Sequence, residues 1–205
     1  MKYNIADNTK IIKNLLMYKN KNLPYSFYTK EIYLGLNTQE IRRTIIKYSG
    51  YALLTWEVIN FLSKFLNGNC LEIISGSGYL TWALKQKNIN IIATDNFSWD
   101  INFEKWIDIE QLDAISAINK YGKALTYIIA SWFPYDDNLA YECLIAVRKI
   151  NPKCKMLIIT ESKFGCCAND KFFDNIEIIN NKYIDEINNI YTSWFGIYDK
   201  FMLIK

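Results

Sequence analysis

Cys70-Leu71-Glu72-Ile73-Ile74-Ser75-Gly76-Ser77-Gly78-Tyr79-Leu80, followed eleven residues later by Ile91-Ile92-Ala93-Thr94-Asp95-Asn96, is the stretch that decides the fold. An apolar run enters a turn of small residues and passes straight into a helical pattern. A second apolar run then ends in an acid. Gly76 and Gly78 allow positive φ and close backbone approach, and the start of the following helix offers unpaired N–H groups to a polar or anionic ligand group. Asp95, seventeen residues past Gly78, stands where an acid commonly grips the ribose hydroxyls of a nucleoside cofactor.

Downstream, strand and helix alternate. Strands are expected at 70–75, 89–94, 124–130 and 155–160, and helices at 78–87, 112–120 and 137–149. Continuous apolar runs such as 125–130 and 156–159 suit strands buried on both faces, as in a parallel sheet covered by helices. Two further strands are expected at 176–179 and 195–204. Upstream, residues 38–66 read as two helices broken near Ser49-Gly50, the second stopped by Asn67-Gly68-Asn69. A weak helical pattern (Ile11, Ile12, Leu15, Leu16) ends before Pro24, which pushes the residue ahead of it out of the helical region. The expected organisation is a helical N-terminal arm, 1–50, and one α/β domain, 51–205.

The 205 residues are 51% hydrophobic and 22% charged, which fits one globular domain with its own core. There is no His, so imidazole bases, Ser-His-Asp and Cys-His nucleophiles and His-ligated zinc are excluded. Five cysteines without a CxxC pair or zinc spacing fit free thiols in a reducing compartment, so a cytoplasmic or nuclear location is expected. No stretch reaches the roughly 18 apolar residues of a membrane span. Residues 1–50 hold seven Lys and two Arg against Asp7, Glu31 and Glu40, a net +6, which leaves −3 for the rest of a chain whose total is +3. With Tyr25, Phe27, Tyr28 and Tyr33 interleaved, this segment reads either as a solvated surface or as a dock for an acidic partner or nucleic acid.

The segment LEIISGSGYLTWAL with IIATD resembles motif I and the acid that follows it in class I S-adenosylmethionine (SAM) dependent methyltransferases, whose pattern is closer to LEIGxGxGYLT. The resemblance implies a Rossmann-like α/β fold: a mostly parallel seven-stranded sheet, helices on both faces and an antiparallel C-terminal strand. It implies SAM as cofactor, with Glu72, Ser75, Gly76, Ser77, Gly78, Asp95 and Asn96 around it. Asp113 resembles the acid that approaches the adenine amino group, and reads equally well as a helix N-terminal carboxylate. Ile74 stands where the family has its first glycine. The full GxGxxG order of nicotinamide-binding turns is missing.

Ser131-Trp132-Phe133-Pro134-Tyr135-Asp136-Asp137 follows the strand at 124–130, at the sheet edge where open α/β folds place ligands. It resembles motif IV of amino-group methyltransferases, and more closely the SWPPY loop of a methyltransferase-like family. In that family, later segments resemble 161–173 and 194–200 of this chain, so the likeness spans roughly residues 51–205. Phe133 replaces a proline, and Cys167-Ala168 replaces a CT pair. Methyl transfer from a sulfonium gains mainly from alignment, and aromatic faces stabilise a cationic donor. Ser131, Tyr135 and Asp136 are the expected catalytic residues, with Asp137 and Glu161 as further candidate bases. Helix capping is the competing account of Asp136 and Asp137, and packing that of Trp132, Trp194 and Phe172-Phe173. The expected activity is methyl transfer to a small molecule or macromolecule, an amino group being favoured. The alternative is a methyltransferase-like binding protein that has lost turnover and docks a partner through its basic N-terminal region.

Overall fold

The split of each apolar run between two faces of one sheet builds this fold. The computed structural model describes residues 5–27, 31–32, 38–99 and 102–205, so Tyr28 and Tyr33 of the basic segment lie outside the described residues. In chain order the elements begin with α1 (Ile5–Lys19), β1 (Glu31–Ile32), α2 (Thr38–Ser49), α3 (Trp56–Phe65), β2 (Cys70–Ile73), α4 (Tyr79–Lys85), β3 (Ile91–Asp95) and β4 (Glu110–Gln111). They continue with α5 (Ala114–Tyr121), β5 (Tyr127–Ser131), α6 (Leu139–Ile150), β6 (Lys155–Thr160), α7 (Asp170–Asn175), α8 (Lys182–Ile190), β7 (Ser193–Trp194) and β8 (Lys200–Ile204).

Six strands form one sheet in the order β4-β3-β2-β5-β6-β8. The first five are mutually parallel, with Cys70 opposite Ile91 on one side and Tyr127 on the other, and β8 runs antiparallel to β6. Side chains alternate along each strand: Cys70, Tyr127, Ile129, Leu157 and Ile159 join the core beneath α3, α4 and α8. Leu71, Ile73, Ile128, Ala130, Met156 and Ile158 join the opposite core beneath α5 and α6. From β2 the chain steps outward to β3 and β4, then returns to the other side of β2 at β5. The strand order therefore reverses between β2 and β5, which opens a crevice at their carboxyl ends.

The N-terminal residues share this core. Leu15, Tyr18, Leu23 and Ile45 are buried with α3 and α4, and the fully buried Tyr18 hydroxyl donates to the Leu54 carbonyl at 2.5 Å. β1 pairs in parallel with β7, Glu31 opposite Ser193.

Against the expected seven strands, the main sheet has six among the described residues. Segment 176–179 runs along the free edge of β8 with a single bridge, Ile178 to Ile204, and backbone bonds between Glu177 and Lys205. Ile178 remains 56% exposed, so little apolar burial extends that pairing into a strand. The run at 195–204 is strand only from Lys200, because Gly196 at φ +74° turns the chain before it. No helix among the described residues is long and apolar enough to cross a membrane.

Candidate functional site

The turn after β2 is held by bonds within the protein. Ser75 N–H donates to Thr94 O at 3.1 Å, and Gly78 N–H to Ser75 O at 2.9 Å. The Asp95 carboxylate accepts from Gly76 N–H at 2.8 Å and from Phe97 N–H at 2.7 Å, tying the β2 and β3 loops together. Glu72 accepts on one oxygen from both the backbone N–H (3.0 Å) and the hydroxyl (2.5 Å) of Thr81. The N–H groups of Ser75, Gly76, Gly78 and Thr81 thus already have protein partners. What the turn presents is the remaining acceptor capacity of Asp95 and Glu72, together with the Ser75 hydroxyl, which is buried without a partner.

Ile74 is the odd residue in this turn. Its φ of +49° is the left-handed conformation that glycine adopts freely, and a β-branched side chain is strained there by about 1–2 kcal/mol. The backbone at Ile74 thus has the shape that glycine adopts freely. Ile74→Gly is expected to be more stable than Ile74→Ala by about 1 kcal/mol, the reverse of the usual order, because only glycine sheds the strain. Urea unfolding checks this, and an Ala variant more stable than the Gly variant would refute the left-handed geometry.

A cavity of about 370 Å³ opens over this turn, within the range of small-molecule sites. Its walls bring together Glu72, Ile74, Ser75 and Gly76 after β2, Asp95, Asn96 and Phe97 after β3, and Asp113 at the start of α5. Ser131, Trp132, Pro134 and Tyr135 close it from the β5 side, and Arg42 and Tyr51 from the N-terminal side. Asp113 is also the cap of α5. Its carboxylate accepts from Ser116 N–H at 2.9 Å, and the Ser116 bonds hold it below its ordinary pKa.

Three residues expected at the site lie elsewhere. Ser77 is buried off the cavity, its carbonyl accepting from Trp106 N–H at 2.8 Å. A Cβ on Gly78 would meet Ile107 at 2.9 Å and Ile109 at 3.0 Å, so that glycine serves the close packing of segment 102–109 over the turn. Asp136, at φ +53°, bonds through its N–H to Ala168 O and faces a separate cavity beside Phe164 and Lys171. Of the further bases, Asp137 accepts from Leu139 N–H at the start of α6 (2.7 Å). Glu161 uses both oxygens on the Tyr198 and Cys166 N–H groups, which makes it a fastener of two loops.

Burial pushes the Glu72 carboxyl up to about 8; the Thr81 bonds oppose this shift and the nearby Asp95 charge adds to it. A carboxyl raised from 4.5 holds its proton in the folded state while the unfolded chain gives it up. Stability is therefore fully present below about pH 4.5 and is lost as pH rises towards about 8. Glu72→Gln keeps an acceptor for Thr81 and removes the titration. Urea unfolding is expected to show the wild type losing on the order of several kcal/mol more than the variant between pH 5 and pH 8. Parallel pH profiles would overturn this.

The β5 loop is anchored from behind. Trp132, at φ +59°, stacks on Tyr51 with ring centroids 5.2 Å apart, and its indole N–H donates to Asp199 at 2.9 Å. The same Asp199 oxygen accepts from the Tyr191 hydroxyl at 2.7 Å, and the Trp194 indole N–H holds the Tyr51 carbonyl at 3.0 Å. Burial raises the Asp199 carboxyl. The Arg42 guanidinium lies 5.6 Å from the Trp132 ring centre and 5.8 Å from that of Tyr51. Sequence reasoning missed Arg42, Tyr51, Phe97 and Phe103 as wall residues. Arg42 sits in a plain amphipathic helix and carries no local signal; Phe97, two residues past Asp95, was within reach of the motif.

No family model and no curated protein matches this sequence. Among solved structures the chain is similar to a SAM dependent methyltransferase from Archaeoglobus fulgidus, at 16% identity and a TM-score of 0.40, covering 83% of this chain and 93% of that one.

Proposed function

We propose that this protein is a SAM-dependent methyltransferase whose acceptor presents an amino group to the loop after β5. The observation that carries the reading is the meeting, in one cavity at the reversal of strand order, of the residues of both resembling stretches. Glu72, Gly76 and Asp95 come from one side, and Ser131, Pro134 and Tyr135 from the other.

The residues suit the cofactor. The Ser75 hydroxyl is buried with no partner in the protein, and a Cβ on Gly76 would press on the Phe103 ring at 3.3 Å, so the cradle has room only for backbone there. Asp95 retains lone pairs beyond its two backbone bonds, enough to accept ribose hydroxyls. Phe97, Trp99 and Phe103 supply faces for a planar base. When bound, SAM supplies an electrophilic methyl on a sulfonium. The chain's own contribution is alignment: Pro134 and the stacked Trp132 fix the loop, and Ser131 and Tyr135 orient a planar or tetrahedral nitrogen.

A second reading, a SAM-binding protein without turnover, is favoured by Ile74, which lines the cavity at the position where the resembling enzymes have glycine. Calorimetry with SAM and S-adenosylhomocysteine tests what the two readings share, and a wild-type protein that binds neither overturns both. Transfer of radiolabelled methyl from SAM into any component of a cell extract separates them in favour of the enzyme.

A further inference from the structure

We infer that Arg42 makes this cavity a receptor for a carboxylate-bearing ligand, held at the end built from Tyr51 and Trp132. The proposal rests on the methyltransferase reading for its two sources of carboxylate, the amino-acid end of the cofactor or the acceptor, and on the geometry alone for the carboxylate site itself.

Arg42 is the sole cationic residue lining the cavity among the described residues. No carboxylate answers it: the ion pairs among those residues are Lys120–Glu110, Lys163–Asp174 and Lys205–Glu177. The acids in the cavity walls have donors of their own, Asp95 from two backbone N–H groups, Asp113 from Ser116 and Glu72 from Thr81. The Arg42 Nε is buried and has no hydrogen-bond partner. A buried guanidinium nitrogen left unpaired in a fold that satisfies most others points to a ligand that completes it.

The setting selects the ligand's chemistry. Trp132 and Tyr51 meet the guanidinium through their rings, an attraction that consumes no N–H donor. The planar fork keeps its donors for a group that accepts two parallel bonds, and a carboxylate has that shape. The competing anion site, the N–H groups of the turn after β2, is reduced because Ser75, Gly76, Gly78 and Thr81 donate within the protein. The platform is itself fixed, Trp132 by Asp199 and Tyr51 by Trp194.

Calorimetry on the full chain with SAM, decarboxylated SAM and benzoate tests this, using wild type, Arg42→Gln and Arg42→Lys. If the carboxylate is the cofactor's, the wild type prefers SAM over decarboxylated SAM at least tenfold, and Arg42→Gln erases the preference without changing affinity for the decarboxylated compound. If it is the acceptor's, Arg42→Gln binds SAM as the wild type does and loses benzoate binding at least tenfold. Arg42→Lys keeps the charge without the fork and falls between; it serves in place of Arg42→Gln if that variant does not fold. Unchanged binding of all three ligands in Arg42→Gln overturns the proposal. A wild type that binds neither adenosyl compound sinks the methyltransferase reading alone. Benzoate binding to the free protein then decides, dependence on Arg42 supporting the proposal and indifference to Arg42 or absence of binding refuting it.

Discussion

Asp95→Ala is expected to abolish detectable SAM binding and to lower the unfolding free energy by about 2–4 kcal/mol. The two effects have one origin. Each Asp95 oxygen receives a backbone N–H, Gly76 at 2.8 Å and Phe97 at 2.7 Å, and bonds to a charged acceptor contribute about 1.5–3 kcal/mol each before allowance for partial exposure. Alanine leaves both donors unpaired and frees the β2 turn from the β3 loop, so the cavity loses its shape along with its acid. Asp95→Asn separates the contributions: its carbonyl still accepts one N–H, while its amide group opposes the other donor. Urea unfolding and calorimetry together check the expectation, with Asn intermediate in stability. An alanine variant as stable as the wild type would show that the carboxylate does not pin the turn.

Trp194→Ala is expected to have the largest effect on folding, about 3–5 kcal/mol, since the indole is only 1% exposed and its loss leaves a large cavity. Trp194 also reaches the site. Its N–H holds the Tyr51 carbonyl at 3.0 Å, Tyr51 stacks on Trp132, and both rings lie beneath Arg42. Trp194→Phe keeps most of the bulk and leaves that carbonyl unpaired, at a cost of about 1–3 kcal/mol. Ligand affinity in this milder variant is expected to fall severalfold by calorimetry while the protein stays folded. Wild-type affinity in Trp194→Phe would break the proposed link between the C-terminal segment and the cavity.

Much of the fold was legible because burial writes itself into composition. The runs that became β2, β3, β5 and β6 each hold a cluster of apolar residues, and the helices between them carry apolar stripes at helical spacing. The two-residue strands were not legible. β4 is Glu110-Gln111, and only its pairing with Thr94 and Asp95 makes it a strand. α8 has a buried stripe of only Ile184 and Ile187 within an Asn-rich stretch, too short an apolar pattern to mark a helix.

The candidate site divides in the same way. A strand, a small-residue turn and an acid at the end of the next strand are local features that point to Gly76 and Asp95, while Glu72, Ser131 and Tyr135 rest on the resemblance; all five line the cavity. Roles that depend on what packs against a residue could not. Gly78 and Ser77 look like Gly76 and Ser75 in sequence, but Trp106, Ile107 and Ile109 cover the first pair, whereas Ser75 and Gly76 line the cavity beside Phe103. Asp136 lies one residue from Tyr135 and turns to another cavity because its backbone bonds to Ala168.

By itself, then, the sequence determined the alternation of buried strands and helices and the turn after β2, since each depends on residues close along the chain. Tertiary structure alone decided that Ile74 is held in a glycine conformation, that Glu161 fastens loops, and that Arg42 reaches the cavity from α2. Those outcomes depend on contacts between segments tens of residues apart, and no local pattern of residue types encodes which distant surface a side chain will meet.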